Sequence, residues 1–317
     1  MGERKMGKIV FGVDIGGTTV KLGMFDDEGS VLTKWEIPTV TENHGGRILK
    51  DIADSINEKR AAFGYQLQDV IGVGVGAPGP VDAAGTIYGA VNLGWNELNI
   101  AETLQPLVGV PVKAGNDANV AALGEMWKGG GRGCQDVVAV TLGTGVGGGI
   151  IVNGALVAGF NGAGGEIGHM LVEENETEPC NCGLCGCLEQ YASATGVVRL
   201  AKRRLQQDEE PSSLRSLQEQ MTCKDVWDAV RAQDAVAIEV AERFGYYLGK
   251  GLAAVACVVN PEAFVIGGGV SKAGEILFDY IVPPYRKFVF PGSRKARFML
   301  AELGNDAGIY GAAKLVL

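Results

Sequence analysis

Short apolar runs broken by glycine set the rhythm of this chain. Residues 8–13 (KIVFGV) read as a buried strand, Asp14-Ile-Gly-Gly-Thr-Thr as a tight turn, and residues 20–25 as a second apolar strand. Ile48, Leu49, Ile52, Ala53 and Ile56 then recur at helical spacing, which predicts an amphipathic helix over 46–63. An uninterrupted apolar strand at 70–75 runs into Gly76-Ala77-Pro78-Gly79-Pro80. A short strand follows at 111–114, and Asn116-Asp117-Ala118-Asn119 opens a helix to about Trp127, with Asn or Asp as its cap.

Beyond that helix the opening pattern returns. Residues 136–142 predict a strand, 143–145 a glycine turn and 148–152 the return strand, a weak internal echo that points to duplicated domains. Residues 196–210 and 225–260 read as helical, the latter ending at Asn260-Pro261, because the residue before proline disfavours helix. A last strand at 263–266 enters Gly267-Gly268-Gly269 and another helix. No low-complexity linker interrupts the series.

Length and composition narrow the class. A chain of 317 residues suits two domains with a cleft between them, and 46% hydrophobic with 21% charged residues is the usage of a soluble globular protein. The 49 glycines follow no fixed period, so they imply tight turns that bring backbone N–H groups close to a bound anion. A net charge of -9 repels phosphodiester backbones and anionic lipid, so neither nucleic acid nor a membrane is an expected partner. The longest apolar run, 251–259, is far short of the roughly 20 residues a membrane span needs. Residues 1–8 are charged and lead directly into a strand without a signal core, which makes a cytoplasmic enzyme the expectation. Of seven cysteines, four fall between Cys180 and Cys187, a spacing that suits a metal better than disulfides.

Neither glycine turn fits the Walker loop or the dinucleotide fingerprint, so a phosphate site here would be a β-hairpin. Gly16, Gly17, Gly143 and Gly145 would expose N–H groups, and Thr18, Thr19 and Thr144 would add hydroxyl donors. Asp14, at a strand end, suits a hydrated Mg²⁺ bridging the outer phosphates of a nucleotide. Each turn alone could simply reverse the chain. Two matched turns and an acid favour phosphate. Gly267, Gly268 and Gly269 would make room for a flat base and its ribose, or form a tight strand-to-helix turn.

Asp117 has the position of a general base: a hydroxyl attacking a phosphoryl group needs a carboxylate to orient it and take its proton. Its bland reading is a helix cap, set against the neighbouring amides of Asn116 and Asn119, which pair with sugar hydroxyls as donor and acceptor. His169, at the end of Gly162-Ala-Gly-Gly-Glu-Ile-Gly-His, would complete a tetrahedral Zn²⁺ site with Cys180, Cys182 and Cys187. Cys185 is a fifth candidate, and spacing leaves its competition with Cys182 and Cys187 open. The second ring nitrogen of His169 would remain free for a ligand. Glu166 and Glu189 flank the cluster as acceptors for sugar hydroxyls; alone, each would be a surface residue. His44 reads as a loop residue without a role.

Taken together, these motifs resemble the ROK sugar kinases, and among them the bacterial ATP-dependent glucokinases. The resemblance covers nearly the whole chain, through Asp14-Ile-Gly-Gly-Thr-Thr, residues 76–80, Val91-Asn-Leu-Gly-Trp, Asn116-Asp-Ala-Asn, residues 141–169, the cysteine cluster and Ile266-Gly-Gly-Gly. It implies an α/β two-domain ATPase fold of the actin/hexokinase (ribonuclease H-like) type: a small domain over 1–117 joined by a C-terminal helix at 304–317, and a large zinc-bearing domain over 118–303. It further implies transfer of the ATP γ-phosphoryl group to the 6-hydroxyl of glucose with Asp117 as base. The sugar contacts so implied are Gly79, Asn92, Asn116, Asp117, Glu166, His169 and Glu189. Those to ATP are Asp14, Gly16, Gly17, Thr18, Thr19, Lys21, Thr141, Gly143, Thr144, Gly145, Gly267, Gly268 and Gly269. Zinc falls to His169, Cys180, Cys182 and Cys187, whereas Cys185 stands where the family has no ligand. The run from Glu189 to Gly196 resembles the glucokinase form, favouring glucose over fructose or N-acetylhexosamines. Family members are often dimers or tetramers, so a homo-oligomer is expected. Two rival readings carry less weight. A sugar-responsive repressor needs a DNA-binding domain for which residues 1–7 leave no room, and an idle sugar-binding protein has no need of Asp14, Asp117 and both turns.

Overall fold

In the computed structural model residues 7–317 are described, so the charged N-terminal segment read above lies, over residues 1–6, outside the described residues. Branched apolar residues alternating with glycine build the first sheet. β1 (Ile9–Ile15) turns back into β2 (Thr19–Asp26), and β3 (Val31–Pro38) pairs antiparallel outside it. A single turn, α1 (Glu42–Gly45), carries left-handed φ at Asn43 and His44. α2 (Ile48–Ala62) buries Ile48, Leu49, Ile52, Ala53 and Ile56, the face the spacing predicts. β4 (Val70–Ala77) is followed by the hairpin β5 (Thr86–Ala90) and β6 (Trp95–Asn99), by α3 (Ile100–Val108) and by β7 (Val112–Asn116). The five strands are ordered β3-β2-β1-β4-β7, with β1, β4 and β7 parallel.

α4 (Asp117–Lys128) starts where β7 ends, because Asn116 Oδ1 accepts the Asn119 N–H at 3.1 Å and caps the helix. The chain then repeats itself. β8 (Val137–Leu142), β9 (Val146–Val152) and the short β10 (Ala155–Leu156) form an antiparallel meander. α5 (Glu189–Ala192), α6 (Ala194–Leu205), α7 (Cys223–Arg231) and α8 (Ala235–Val259) precede β11 (Ala263–Gly267), and α9 (Ile276–Phe288) precedes β12 (Arg297–Leu300). The order β10-β9-β8-β11-β12, with β8, β11 and β12 parallel, copies the first sheet's two antiparallel and two parallel steps. The echo heard in the sequence is therefore a repeat of topology. The helical stretch read over 225–260 comprises two helices, since Gln233 takes φ 61° and Asp234 caps a new start by accepting the Ala237 N–H at 3.1 Å. No helix among the described residues is long and apolar enough to cross a membrane.

α10 (Ala307–Val316) returns to the first sheet and also lies along α4. Glycine makes this approach possible. A Cβ on Gly12 of β1 would stand 1.9 Å from the Ile309 carbonyl oxygen, and one on Gly74 of β4 would stand 1.7 Å from that of Ala312. Between the helices, Gly124 and Gly311 interlock in the same way: a Cβ on Gly311 would stand 1.7 Å from the Val120 carbonyl oxygen. The closest contact is backbone to backbone, so no side-chain rotation relieves an added methyl. Gly311→Ala is expected to destabilise the protein by at least about 2 kcal/mol in urea denaturation; an unchanged midpoint would show that the two helices separate freely.

Candidate active site at the strand ends

The parallel register of β1, β4 and β7 brings their C-terminal ends together, which sets Asp14 beside Asp117 at the start of α4. Both line a cavity of about 520 Å³ with Lys21, Thr141, Gly143, Gly145, Glu189 and Asn305. Burial is the main reason the Asp14 carboxyl is pushed up to about 6; the negative charge of Asp117 adds to it and Lys21 opposes it. Burial likewise raises Asp117, against the Ala118 N–H that donates to its Oδ1 at 2.7 Å. Lys21 donates to the Asn305 carbonyl at 3.1 Å, which ties β2 to the approach of α10. Two desolvated carboxylates facing one space make a place for a cation and for a group that gives up a proton.

A second cavity of about 520 Å³ shares Ala121, Thr141, Gly304, Asn305 and Ala307 with the first and contains Gly267, Gly268, Gly269, Ser271, Lys272 and Glu302. Gly268 has φ 84°, and a Cβ there would lie 2.5 Å from the Leu142 carbonyl oxygen, so the tight turn and the cleared space are one feature. Lys272, Glu302 and Asn305 escaped the sequence reading. Lys272 follows the glycine trio closely enough to have drawn notice, whereas Glu302 and Asn305 precede α10 with no local motif.

The other residues divide. Gly16, Gly17, Thr18 and Thr19 form the β1–β2 turn beside Asp14 but are not in the wall of either cavity. That turn is braced by Thr39, which donates its N–H to the Thr18 carbonyl and its hydroxyl to the Gly16 carbonyl. Asn92 stands next to it, 3.9 Å from where a Gly17 Cβ would be. Thr144 lines a neighbouring cavity of about 310 Å³ with Cys180, Glu189, Ser193, Thr195 and Arg199. Gly79 accepts from Asn116 Nδ2 at 3.1 Å, so the Asn116 amide, with its oxygen capping α4, is engaged at both ends. Asn119 corrects the sequence reading. It is 4% exposed and its amide donates to the Gly164 carbonyl at 3.5 Å, bracing α4 against the loop that carries Glu166.

His169, Cys180, Cys182 and Cys187 bring one ligand atom each to within 4.8 Å of one another. Cys182 and Cys187 sulfurs are 3.6 Å apart, and Cys180 Sγ lies 3.9 Å from His169 Nδ1. Cys185 is outside this group: it is exposed and its Sγ faces the Thr177 carbonyl at 3.8 Å. Burial pushes the Cys180 thiol up to about 12, helped by Glu189, whose Oε1 accepts from it at 2.9 Å. A thiolate at that place therefore needs a cation beside it. The cysteine loop is anchored to α6 through Glu176, 9% exposed, which accepts from Tyr191, Arg199 and Arg203. Burial disfavours the Glu176 carboxylate, yet the two guanidiniums and the Tyr191 hydroxyl hold it below the ordinary glutamate range. Glu166 and His169 stand 4.0 Å apart outside the walls of the two large cavities, while Glu189 reaches into one of them, its Oε2 accepting from the Val146 N–H at 3.4 Å.

A raised carboxyl carries a stability consequence. The folded state binds the Asp14 proton more tightly than the unfolded chain does, so a penalty develops as pH climbs through the ordinary carboxylate range and is complete above about 6. Asp14→Asn is expected to raise the melting temperature of the ligand-free protein at pH 7.5 by about 2–4 °C, with the gain shrinking below pH 6. A variant no more stable than the parent at pH 7.5 would mean the carboxylate is not under strain.

The profile of the ROK family matches residues 10–317. A glucokinase of Halalkalibacterium halodurans is 44% identical over 309 residues, spanning 96% of this chain and 94% of the relative. The crystal structure of a ROK family glucokinase from Streptomyces griseus in complex with glucose and AMPPNP superposes with a TM-score of 0.71 at 36% identity, covering 97% of this chain and 98% of the other. The ROK hexokinase from Thermus thermophilus superposes with a TM-score of 0.78 at 30% identity over 96% of each chain. With doubled sheets, a carboxylate-lined space between them and a match running from β1 to the end of α10, the chain belongs to the ROK family.

Proposed function

We propose that the protein transfers the γ-phosphoryl group of ATP to the 6-hydroxyl of glucose. The observation that carries this reading is that Asp117 and Asp14 share a cavity with a glycine turn, which opens beside a second cavity cleared by Gly267, Gly268 and Gly269. The relatives named glucokinase, and the glucose and nucleotide analogue in one of them, support the choice of substrates. The cleft then lies between a lobe of 1–117 with 304–317 and a lobe of 118–303, and Asp117 stands at their boundary.

Asp117 orients the hydroxyl and takes its proton as transfer proceeds; a carboxylate raised by burial is a better acceptor than an exposed one. Asp14 would hold a hydrated Mg²⁺, whose charge would offset that of the outer phosphates. Lys21, Thr141 and the turns at Gly16, Gly17, Thr18 and Thr19 and at Gly143, Thr144 and Gly145 receive the phosphates. The base and ribose take the cavity of the glycine trio. Gly79, Asn92, Asn116, Glu166, His169 and Glu189 hold the sugar.

The Cys/His group fits a structural Zn²⁺. Zinc–sulfur bonds of about 2.3 Å in a tetrahedron set sulfurs roughly 3.8 Å apart, close to the 3.6 Å between Cys182 and Cys187. A reducing cytoplasm, where thiols stay free to bind metal, suits that site. Zinc on one ring nitrogen would fix the orientation in which His169 meets the sugar.

A coupled assay for ADP with a panel of glucose, fructose, mannose and N-acetylhexosamines is expected to rank glucose first in kcat/KM. A preferred N-acetylhexosamine would overturn the ranking. Asp117→Asn is expected to lower kcat by about 10²–10⁴-fold, with the glucose dissociation constant nearly unchanged. Retained turnover would remove its role as base. Metal analysis should find roughly one zinc per chain, lost with a drop in melting temperature in Cys187→Ser and kept in Cys185→Ser. A zinc-free native protein contradicts the assignment.

A further inference from the structure

The glycine turn between β8 and β9 has an unusual set of partners. The Gly143 carbonyl accepts the Ala194 N–H at 2.8 Å, the Gly145 carbonyl accepts the Gly143 N–H at 3.0 Å, and the Thr144 carbonyl accepts the Thr195 hydroxyl at 2.7 Å. Every carbonyl of the turn is thus occupied. The N–H groups of Thr144 and Gly145 have no acceptor among the described residues. The turn is polarised, with lone pairs tied back to the start of α6 and donors left over.

Such polarity is not intrinsic to the sequence of the turn. Glycine on both sides of Thr144 makes rotation of the 144–145 peptide plane cheap, and rotation would exchange the Gly145 N–H for the Thr144 carbonyl oxygen. A phosphate oxygen meeting that carbonyl would be repelled where it should be bound. Among the described residues, the Thr195 hydroxyl is the single side-chain group that pins this peptide. It is itself well placed, in the first turn of α6, where Ser193 caps the helix by accepting the Gly196 N–H at 2.9 Å and donates to the Glu189 carbonyl at 2.6 Å. The same helix start gives one of its otherwise unpaired N–H groups, that of Ala194, to the turn.

We infer that Thr195 is a positioning residue for phosphoryl transfer: its hydroxyl holds the 144–145 peptide in the orientation that presents N–H groups, and not a carbonyl, to the phosphates of the nucleotide. The inference deepens the kinase reading and rests on it for the identity of the anion. It assigns no sugar contact to Thr195, so nucleotide and sugar affinities should respond differently.

The test compares Thr195→Val, which keeps the shape and removes the hydroxyl, with Thr195→Ser, which restores it. Calorimetric titration with MgATP and steady-state kinetics on the purified holoprotein are the measurements. Thr195→Val is expected to raise the MgATP dissociation constant and the KM for ATP about tenfold, the scale of one hydrogen bond, with the KM for glucose and the zinc content unchanged. Thr195→Ser is expected to behave as the parent. Nucleotide affinity unchanged in the valine variant would overturn the proposal, as would a serine variant as weak as the valine one. A parallel loss of zinc or glucose affinity would reduce the residue to a packing role and overturn it equally. A parent protein that binds MgATP without phosphorylating any sugar would sink the kinase reading alone, since the affinity comparison still decides the role of Thr195.

Discussion

Two carboxylates withdrawn from water and set at neighbouring strand ends are the constraint around which this fold is arranged. Asp14 and Asp117 repel each other and both lose solvation, so the ligand-free cleft holds unfavourable electrostatic energy that the rest of the molecule must sustain. It does so by rigid backbone contact. α10 lies against β1, β4 and α4 through glycines, and the Gly308 Cα is so close to Asp14 that a Cβ would stand 2.5 Å from its carboxyl carbon. The acid that cannot move away is the acid available to a cation.

The opposite wall is held by chemistry of another kind. Glu189 accepts from the Cys180 thiol with one oxygen and from the Val146 N–H with the other, so the cysteine loop and the glycine turn meet at one carboxylate. α6 begins five residues further on, and its first residues take the carbonyls of that turn. Behind them the buried Glu176, held by Arg199, Arg203 and Tyr191, fixes the cysteine loop to the same helix. The cysteine loop, Glu189 and the glycine turn are in this way parts of one hydrogen-bonded frame.

Much of this was legible in the sequence where burial is two-sided. β1, β4, β8 and β11 are nearly continuous apolar runs because both of their faces are covered, and the glycine turns that follow them mark the strand ends. β3 was not read, since it is an edge strand whose Lys34 and Glu36 alternate with half-exposed residues, and Pro106 obscured α3. The split between α7 and α8 rests on a left-handed Gln233, a conformation that glutamine, unlike glycine or asparagine, does not announce. In the site, Asp14, Asp117 and the cysteine cluster stood out because their chemistry is local. Lys272 and Asn305 reach the cavities only because β11, β12 and α10 are brought together by topology. Asn119 misled in the other direction: next to Asn116 it looks like a second free amide, but one turn of helix carries it inward to the Gly164 carbonyl.

The central claim is that Asp117 acts on the hydroxyl that receives the phosphoryl group while Asp14 faces the cation across the same space. A crystal structure of the protein with glucose, Mg²⁺ and a non-hydrolysable ATP analogue tests it most directly. The account requires an Asp117 carboxylate oxygen within hydrogen-bond reach, about 2.6–3.2 Å, of the exocyclic sugar oxygen, in line with the terminal phosphorus. An Asp117 turned away from that oxygen, or a sugar bound with its ring hydroxyls toward the phosphate, would contradict it.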